Sequence, residues 1–181
     1  MGLINAQMLQ AIGSVAVHAA VAEQMVHVAY WRYAGLDNKV GQVITENMRP
    51  KRVLEDLIKI VTLLKSGAGR IADIKDIAHT YGNLAQQRNE IIHWIWDSNE
   101  DDTVHKVIPP GYMSGKSPRH HSKPYTEKQI KAIGDGLRTI ARRLQSHLIK
   151  DQDILALRAV SRPGYVLAPW LDKPSQQDPK R

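Results

Sequence analysis

The sequence predicts an all-α protein: a four- to five-helix bundle, up-and-down, with a loop or short hairpin excursion before the last long helix. Three observations predict it. Apolar residues recur at alternating steps of three and four over four long stretches, the spacing of one helix face. The connections between those stretches are short and marked by Gly or Pro. Period-two alternation, the mark of a strand, is confined to one brief run at Thr103 to Ile108. Stripes of this length bury themselves by packing helix on helix.

The first stripe is Met8, Ile12, Val15, Ala19, Ala22, Val26, Tyr30 and Tyr33; Gly35 stops that helix, and Asp37 caps a short following segment. Pro50 suits the first turn of the second helix, where a missing N–H leaves no bond unmade. Val53, Leu54, Leu57, Ile58, Val61 and Leu64 form its stripe, and Ser66-Gly67 ends it. The third helix is expected from Arg70 to Asp97, burying Ile71, Ile74, Ile77, Tyr81, Leu84, Ile91, Ile92 and Ile95. Gly82 weakens it slightly. Pro109-Pro110-Gly111 forces a turn after the short strand, and the polar, basic stretch Gly111 to Tyr125 reads as an exposed loop. Thr126 with Gln129 forms a capping box that opens the fourth long helix. Ile130, Ile133, Leu137, Ile140, Ala141, Leu144 and Leu148 give its stripe, which is expected to continue to about Val160. Residues 1–161 are thus read as one bundle and 162–181 as a Pro-rich tail, with Trp170 and Leu171 available to pin it.

Composition bounds the function classes. The 181 residues fit one domain with a core of its own. There is no cysteine, so disulfides and thiolate metal sites are excluded. The start lacks the pattern of a secretory signal, and Ala11 to Trp31 is interrupted by His18, Glu23, Gln24 and His27, which argues against a membrane span. A cytoplasmic protein with no membrane association is the expectation. The net charge of +7 and a pI near 9.7 favour polyanionic partners, nucleic acid before acidic lipid. No Gly-rich phosphate loop follows a strand, so nucleotide-binding folds have no support.

The informative stretch is Gln87-Arg88-Asn89-Glu90-Ile91-Ile92-His93-Trp94-Ile95-Trp96-Asp97. Its core stripe runs Tyr81, Leu84/Ala85, Arg88, Ile91/Ile92, Ile95, so an arginine stands where the pattern asks for an aliphatic side chain. A guanidinium keeps its charge, so burial costs several kcal/mol unless the group is paired, wet or at an interface. Rules broken in this way mark functional sites. Asn89 and His93 are four apart and share a flank of the helix. Arg88 and His93 differ by about 7.5 Å in rise and roughly 140° in azimuth, so two copies about a two-fold axis close on one phosphate more easily than one copy does.

Arg88, Asn89 and His93, in that order late in the third long helix, resemble the signature of the HEPN superfamily, in which an Arg and a polar residue precede a His. The layout over about residues 5 to 160 fits as well. That resemblance implies a helical bundle and a metal-independent endoribonuclease with a composite site at a homodimer interface. It implies catalytic roles for Arg88, Asn89 and His93, RNA as partner, no cofactor and no metal. It also admits a toxin or defence component with an antitoxin or other protein partner, or an inactive RNA-binding or interaction module. The chemistry matches the residue types: histidine can serve as base or acid near neutral pH, and arginine presents a fork matched to phosphate oxygens.

Bland readings stand beside these. Arg142 and His147 repeat the spacing by chance and suit a solvated face better. Lys116, Arg119 and Lys123 in the loop, with Arg138, Arg142 and Arg143 on the last helix, become an RNA-tracking surface only if they share a side with Arg88. Trp94 and Trp96 suit core or interface packing. Tyr30, Tyr33 and His27 suit core packing, and His120-His121 alone make no metal site.

Overall fold

The computed structural model describes residues 4–93, 95–98, 105–108 and 123–151, the side chains of Ile95, Asp97, Ser98 and 105–108 excepted. Within them lie five helices and a small sheet: α1 (Ala6–Ala34), α2 (Asn38–Thr45), α3 (Pro50–Leu63), α4 (Ala68–His93), β1 (Ile95–Ser98), β2 (His105–Ile108), β3 (Lys123–Tyr125) and α5 (Glu127–Lys150). The architecture is the all-α bundle that the apolar stripes predict.

Gly35, Asp37, Pro50 and the Thr126–Gln129 box begin and end helices where the sequence says they should, and Asn5 adds a cap that the sequence reading does not single out. The Asn5 side chain accepts from the Met8 N–H at 2.8 Å, and Gly35 closes α1 at φ 69°, a left-handed turn that suits a residue without Cβ. Asp37 accepts from the Lys39 N–H to open α2. Pro50 occupies the first turn of α3. Thr126 and Gln129 form the full capping box of α5, each side chain bonded to the other's backbone N–H.

The core is one cluster. α1 contributes a ridge of mostly small residues, Ala11, Val15, Ala19, Ala22, Val26 and Ala29, which lets its neighbours approach closely. Against it lie Val53, Leu54, Leu57 and Val61 of α3, Ile74, Ile77 and Ile91 of α4, and Ile130, Leu137, Ile140 and Leu144 of α5. Each large aliphatic buried this way contributes about 1.5–3 kcal/mol. α1 and α5 run in the same sense: Gly134 of α5 lies against Val15 and His18, and Asp151 at its end bonds Tyr33. α4 runs opposite to both, with Arg70 at the Asp151 end and Leu84 against Gly136 of α5. By length and composition α1 does pass as a membrane-crossing helix, despite its polar interruptions. Its inner ridge is core.

Two expectations are corrected. The third long helix does not reach Asp97: α4 stops at His93, and Ile95–Ser98 pairs antiparallel with His105–Ile108, Ile95 opposite Ile108. Helical spacing of Ile91, Ile92 and Ile95 cannot reveal this, because the short apolar run Trp94-Ile95-Trp96 suits a strand equally. Lys123–Tyr125 is not loop but the third strand, pairing with β2, and Tyr125 is buried. α5 runs to Lys150 with Asp151 as its cap. The expected continuation to Val160, the tail from 162, and Trp94 lie outside the described residues.

Candidate functional site

The last two turns of α4 alternate between inside and outside. Glu90 and Ile91 are buried, Arg88 and Ile92 are half-buried, and Asn89 and His93 are exposed. Arg88 is the interruption the sequence suggests, with 27% of its side chain exposed. One terminal nitrogen donates to the Asn89 carbonyl oxygen at 2.9 Å; the other stands 3.6 Å from Oε1 of Glu23 on α1, an ion pair longer than a hydrogen bond. Its Nε is buried with no hydrogen-bond partner among the described residues.

Glu23 is the residue that sequence reading passed over at this site. Its carboxylate also accepts from the Tyr81 hydroxyl at 3.4 Å, so Tyr81, Glu23 and Arg88 form one chain across α1 and α4. Burial and the nearby Glu23 push the Tyr81 phenol far above its ordinary range, so it stays a protonated donor. One turn along α1, His27 stacks on Trp31, ring centres 6.2 Å apart. Burial lowers its pKa, opposed in part by Glu23 and the Met48 backbone. Tyr33 is buried and donates to Asp151, so it serves the core.

The second overlooked acid is Glu90, inside the motif itself and only 4% exposed. Lys123 Nζ at 2.6 Å, Tyr125 OH at 2.7 Å and Gln86 Nε2 at 3.4 Å all donate to it. Burial raises its pKa, but these three donors outweigh burial and hold the carboxyl below its usual value. No periodicity could have found this pairing, because its partners lie more than thirty residues on, in a segment that reads as loop. Trp96 closes the same corner: its Nε1 donates to the Ile91 carbonyl at 2.9 Å, one of the acceptors a helix end leaves free. Its ring lies 6.4 Å from that of Tyr125.

No family model, curated protein sequence or solved structure matches this chain. The residues alone therefore carry any functional reading.

The expected RNA-tracking strip is mostly engaged elsewhere. Lys123 is bound to Glu90, Arg138 to Asp135 on its own helix at 2.8 Å, and Arg143 to Asp73 and Asp76 on α4. Arg142 is exposed and forms no ion pair among the described residues. Lys116, Arg119, His120 and His121 lie outside the described residues. The solvated-face reading of His147 is also corrected: its side chain is 17% exposed and its Nε2 lies 2.5 Å from Asp73. Burial raises the Asp73 pKa, and hydrogen bonds from Arg143 and His147 more than reverse this. Among the described residues no group of three or more His, Asp or Glu could hold a metal ion.

What this arrangement can do follows from its exposure. Arg88 is held in place by a neighbouring amide and a distant carboxylate, with part of its fork open to water. His93 is exposed at the end of the same helix, on the flank it shares with Asn89, and Arg88 lies about 140° round the helix from it, so within one chain the structure does not bring the two side chains together. An open groove between the start of α1 and the start of α5, lined by Asn5, Met8, Thr126, Lys131 and Asp135, shares no residue with them.

Proposed function

We propose that this chain is a HEPN-like, metal-independent endoribonuclease, with Arg88, Asn89 and His93 acting in a composite site shared by two copies. The observation that carries the reading is that Arg88 is not sealed inside its monomer. Its ion pair is long, its Nε is unfilled and a quarter of its side chain is exposed. A phosphate oxygen can take over the Glu23 contact with a bidentate fork, which is stronger than a single long ion pair.

In the proposed reaction the RNA 2′-hydroxyl attacks the adjacent phosphorus. The new 2′-O–P bond forms as the 5′-O–P bond breaks. One His93 accepts the 2′ proton, and His93 of the second copy protonates the departing 5′ oxygen. Arg88 stabilises the charge that builds on the phosphate oxygens, and Asn89 holds Arg88 in line. The products are a 2′,3′-cyclic phosphate and a 5′-hydroxyl end. DNA, lacking the attacking group, survives. The resemblance that motivates this reading also suggests a toxin or defence role with a protein partner.

A second reading has its own support. Lys123, Arg138 and Arg143 are all neutralised by carboxylates. A fold that spends its cations in this way suits an interaction module with no catalytic role. Labelled RNA incubated with the full chain in EDTA separates the two. The nuclease reading expects cyclic phosphate ends, and a loss of roughly 100-fold or more in His93→Ala, the usual scale for removing an acid–base group. Binding or no binding, with RNA left intact at every concentration of wild-type chain, sinks it.

A further inference from the structure

The outer side of α1 is unlike any other surface described. From the first residue to Ala22 the sequence holds no Asp, Glu, Lys or Arg, although the chain carries +7 overall. Leu9, Val17 and Val21 are exposed by 56%, 62% and 48%, and Gly13, Ala16 and Ala20 are exposed between them. At about 100° per residue these six fall on one side of the helix, opposite the core ridge. Gly13 is the odd member. A glycine inside a helix costs roughly 0.5–1 kcal/mol against alanine, yet a Cβ there would meet nothing within 4 Å. The monomer gains nothing from it; a second backbone approaching closely would.

The fold already covers the far end of this side in one way. Trp31 projects from the same side of α1 as Gly13, Val17 and Ala20, and α2 lies on it. A Cβ at Gly41 would fall 2.4 Å from the Trp31 ring, and Trp31 Nε1 donates to Thr45 Oγ1 at 3.0 Å. α2 in turn exposes Val40, Val43 and Ile44. The bare stretch from Ala6 to Ala22 therefore continues an existing helix-on-helix contact.

We propose that this uncharged side of α1, continued by α2, is a self-association surface that pairs with the same side of a second copy of the chain. Charge decides between occupants. In a two-fold contact each patch meets itself, so any charge at its centre faces its own sign. Across a chain of +7, this is a stretch where copies meet without that penalty. A helix lying in a membrane surface carries Lys or Arg on the polar face beside its apolar one, whereas α1 has neither on any face before Arg32. A charged partner would find nothing to pair with.

Size sets the strength. A stretch from Ala6 to Ala22 is about 25 Å long and, at about 10 Å wide, offers roughly 250 Å² per copy. That is well under the ~800 Å² per partner of a standard interface. The dimer is therefore weak and concentration-dependent, with Val40, Val43 and Ile44 supplying the rest. The inference goes beyond the nuclease reading and does not depend on it. Glu23, seven residues from Ala16, flanks the same stripe, so a partner seated there lies beside the Glu23–Arg88 pair.

Sedimentation equilibrium of the full chain over a concentration series tests this. The wild type is expected to shift from one to two chain masses, and Val17→Glu or Ala20→Glu to weaken association at least tenfold with unchanged helicity and melting. Because the chain has no cysteine, Val17→Cys gives an independent readout near the centre of the stripe. Mild oxidation should yield a covalent dimer, whereas Thr139→Cys on the exposed side of α5 should not. A wild type that stays monomeric throughout overturns the proposal. So does a dimer untouched by the glutamates, or a monomer whose α1 face binds phosphatidylcholine vesicles. RNA cleavage enters none of these readouts: a chain that never pairs yet cleaves RNA sinks this proposal and the shared site but not metal-independent cleavage, whereas a dimer that leaves RNA intact sinks the nuclease reading alone.

Discussion

At the scale of single residues, two acids decide how the motif is held. Glu23 restrains Arg88 and Glu90 fastens β3 to α4, and neither is legible in the sequence. Arg88 is, because an arginine in an aliphatic stripe breaks the pattern where it stands. Glu90 breaks no pattern, since a glutamate on a long amphipathic helix is ordinary, and its burial follows only once Tyr125 folds over it. The Glu90 pairing makes a prediction whose sign can be worked out. Its carboxyl is held below the ordinary 4.5, so the unfolded chain binds the proton more readily than the folded one. The stabilisation is therefore complete above that ordinary value and lost as pH falls through the lowered one. Glu90→Gln should melt earlier than wild type at neutral pH, and the gap between the two should close on acidification below about pH 4. Thermal melts at a series of pH values check this; a gap that stays constant down to strong acid would mean that the carboxylate charge is idle.

At the scale of elements, the helices were largely legible and the sheet only at β2, where the alternation of Thr103 to Ile108 marks a strand that is found at His105–Ile108. Caps and apolar periodicity are local signals, and Asn5, Asp37, Pro50, Thr126 and Gln129 all act where they stand. β1 and β3 are four and three residues long, too short for alternation to rise above chance, and they are strands through their pairing with β2. α2 is intermediate: its cap is plain, but its seat depends on Gly41, whose missing side chain leaves room for the Trp31 ring. Alanine at position 41 raises helix propensity, which alone would stabilise. The Cβ, however, would sit well inside contact distance of the indole, and overpacking of this kind costs about 1–3 kcal/mol. Clash wins over propensity. Gly41→Ala should lower stability and increase hydrogen exchange over residues 38–45, while Gly82→Ala on α4, with open space around its Cβ, should stabilise slightly. If both alanines raise the melting temperature, α2 does not rest on the tryptophan.

At the scale of the whole molecule, one corner gathers three helices from distant parts of the chain. Asp151, only 1% exposed, accepts from Tyr33 at the end of α1 and from Arg70 at the start of α4. One turn back along α5, His147 and Arg143 both reach Asp73 on α4. The network is close to charge-balanced, with Arg70 and Arg143 facing Asp73, Asp76 and Asp151, so it favours packing over anion capture. None of this is readable from spacing, because the partners are seventy or more residues apart. Removing Asp151 would take from Arg70 its carboxylate partner and from the buried Tyr33 hydroxyl the acceptor Asp151 supplies. Breaking a buried pair in this way costs about 3–5 kcal/mol, and the 24% exposure of Arg70 places the loss at the lower end. For a chain of this length that corresponds to a fall of roughly 6–12 °C in Tm. Asp151→Asn keeps an acceptor for Tyr33 and loses only the charge, so it should fall by less than Asp151→Ala. Calorimetry of the two variants beside Val17→Glu places the corner and the outer side of α1 on one scale. The corner variants should unfold early and the α1 variant should not. Equal losses in all three would show that the side of α1 opposite the core contributes to the fold of the monomer, and that the division between a buried junction and a free face is wrong.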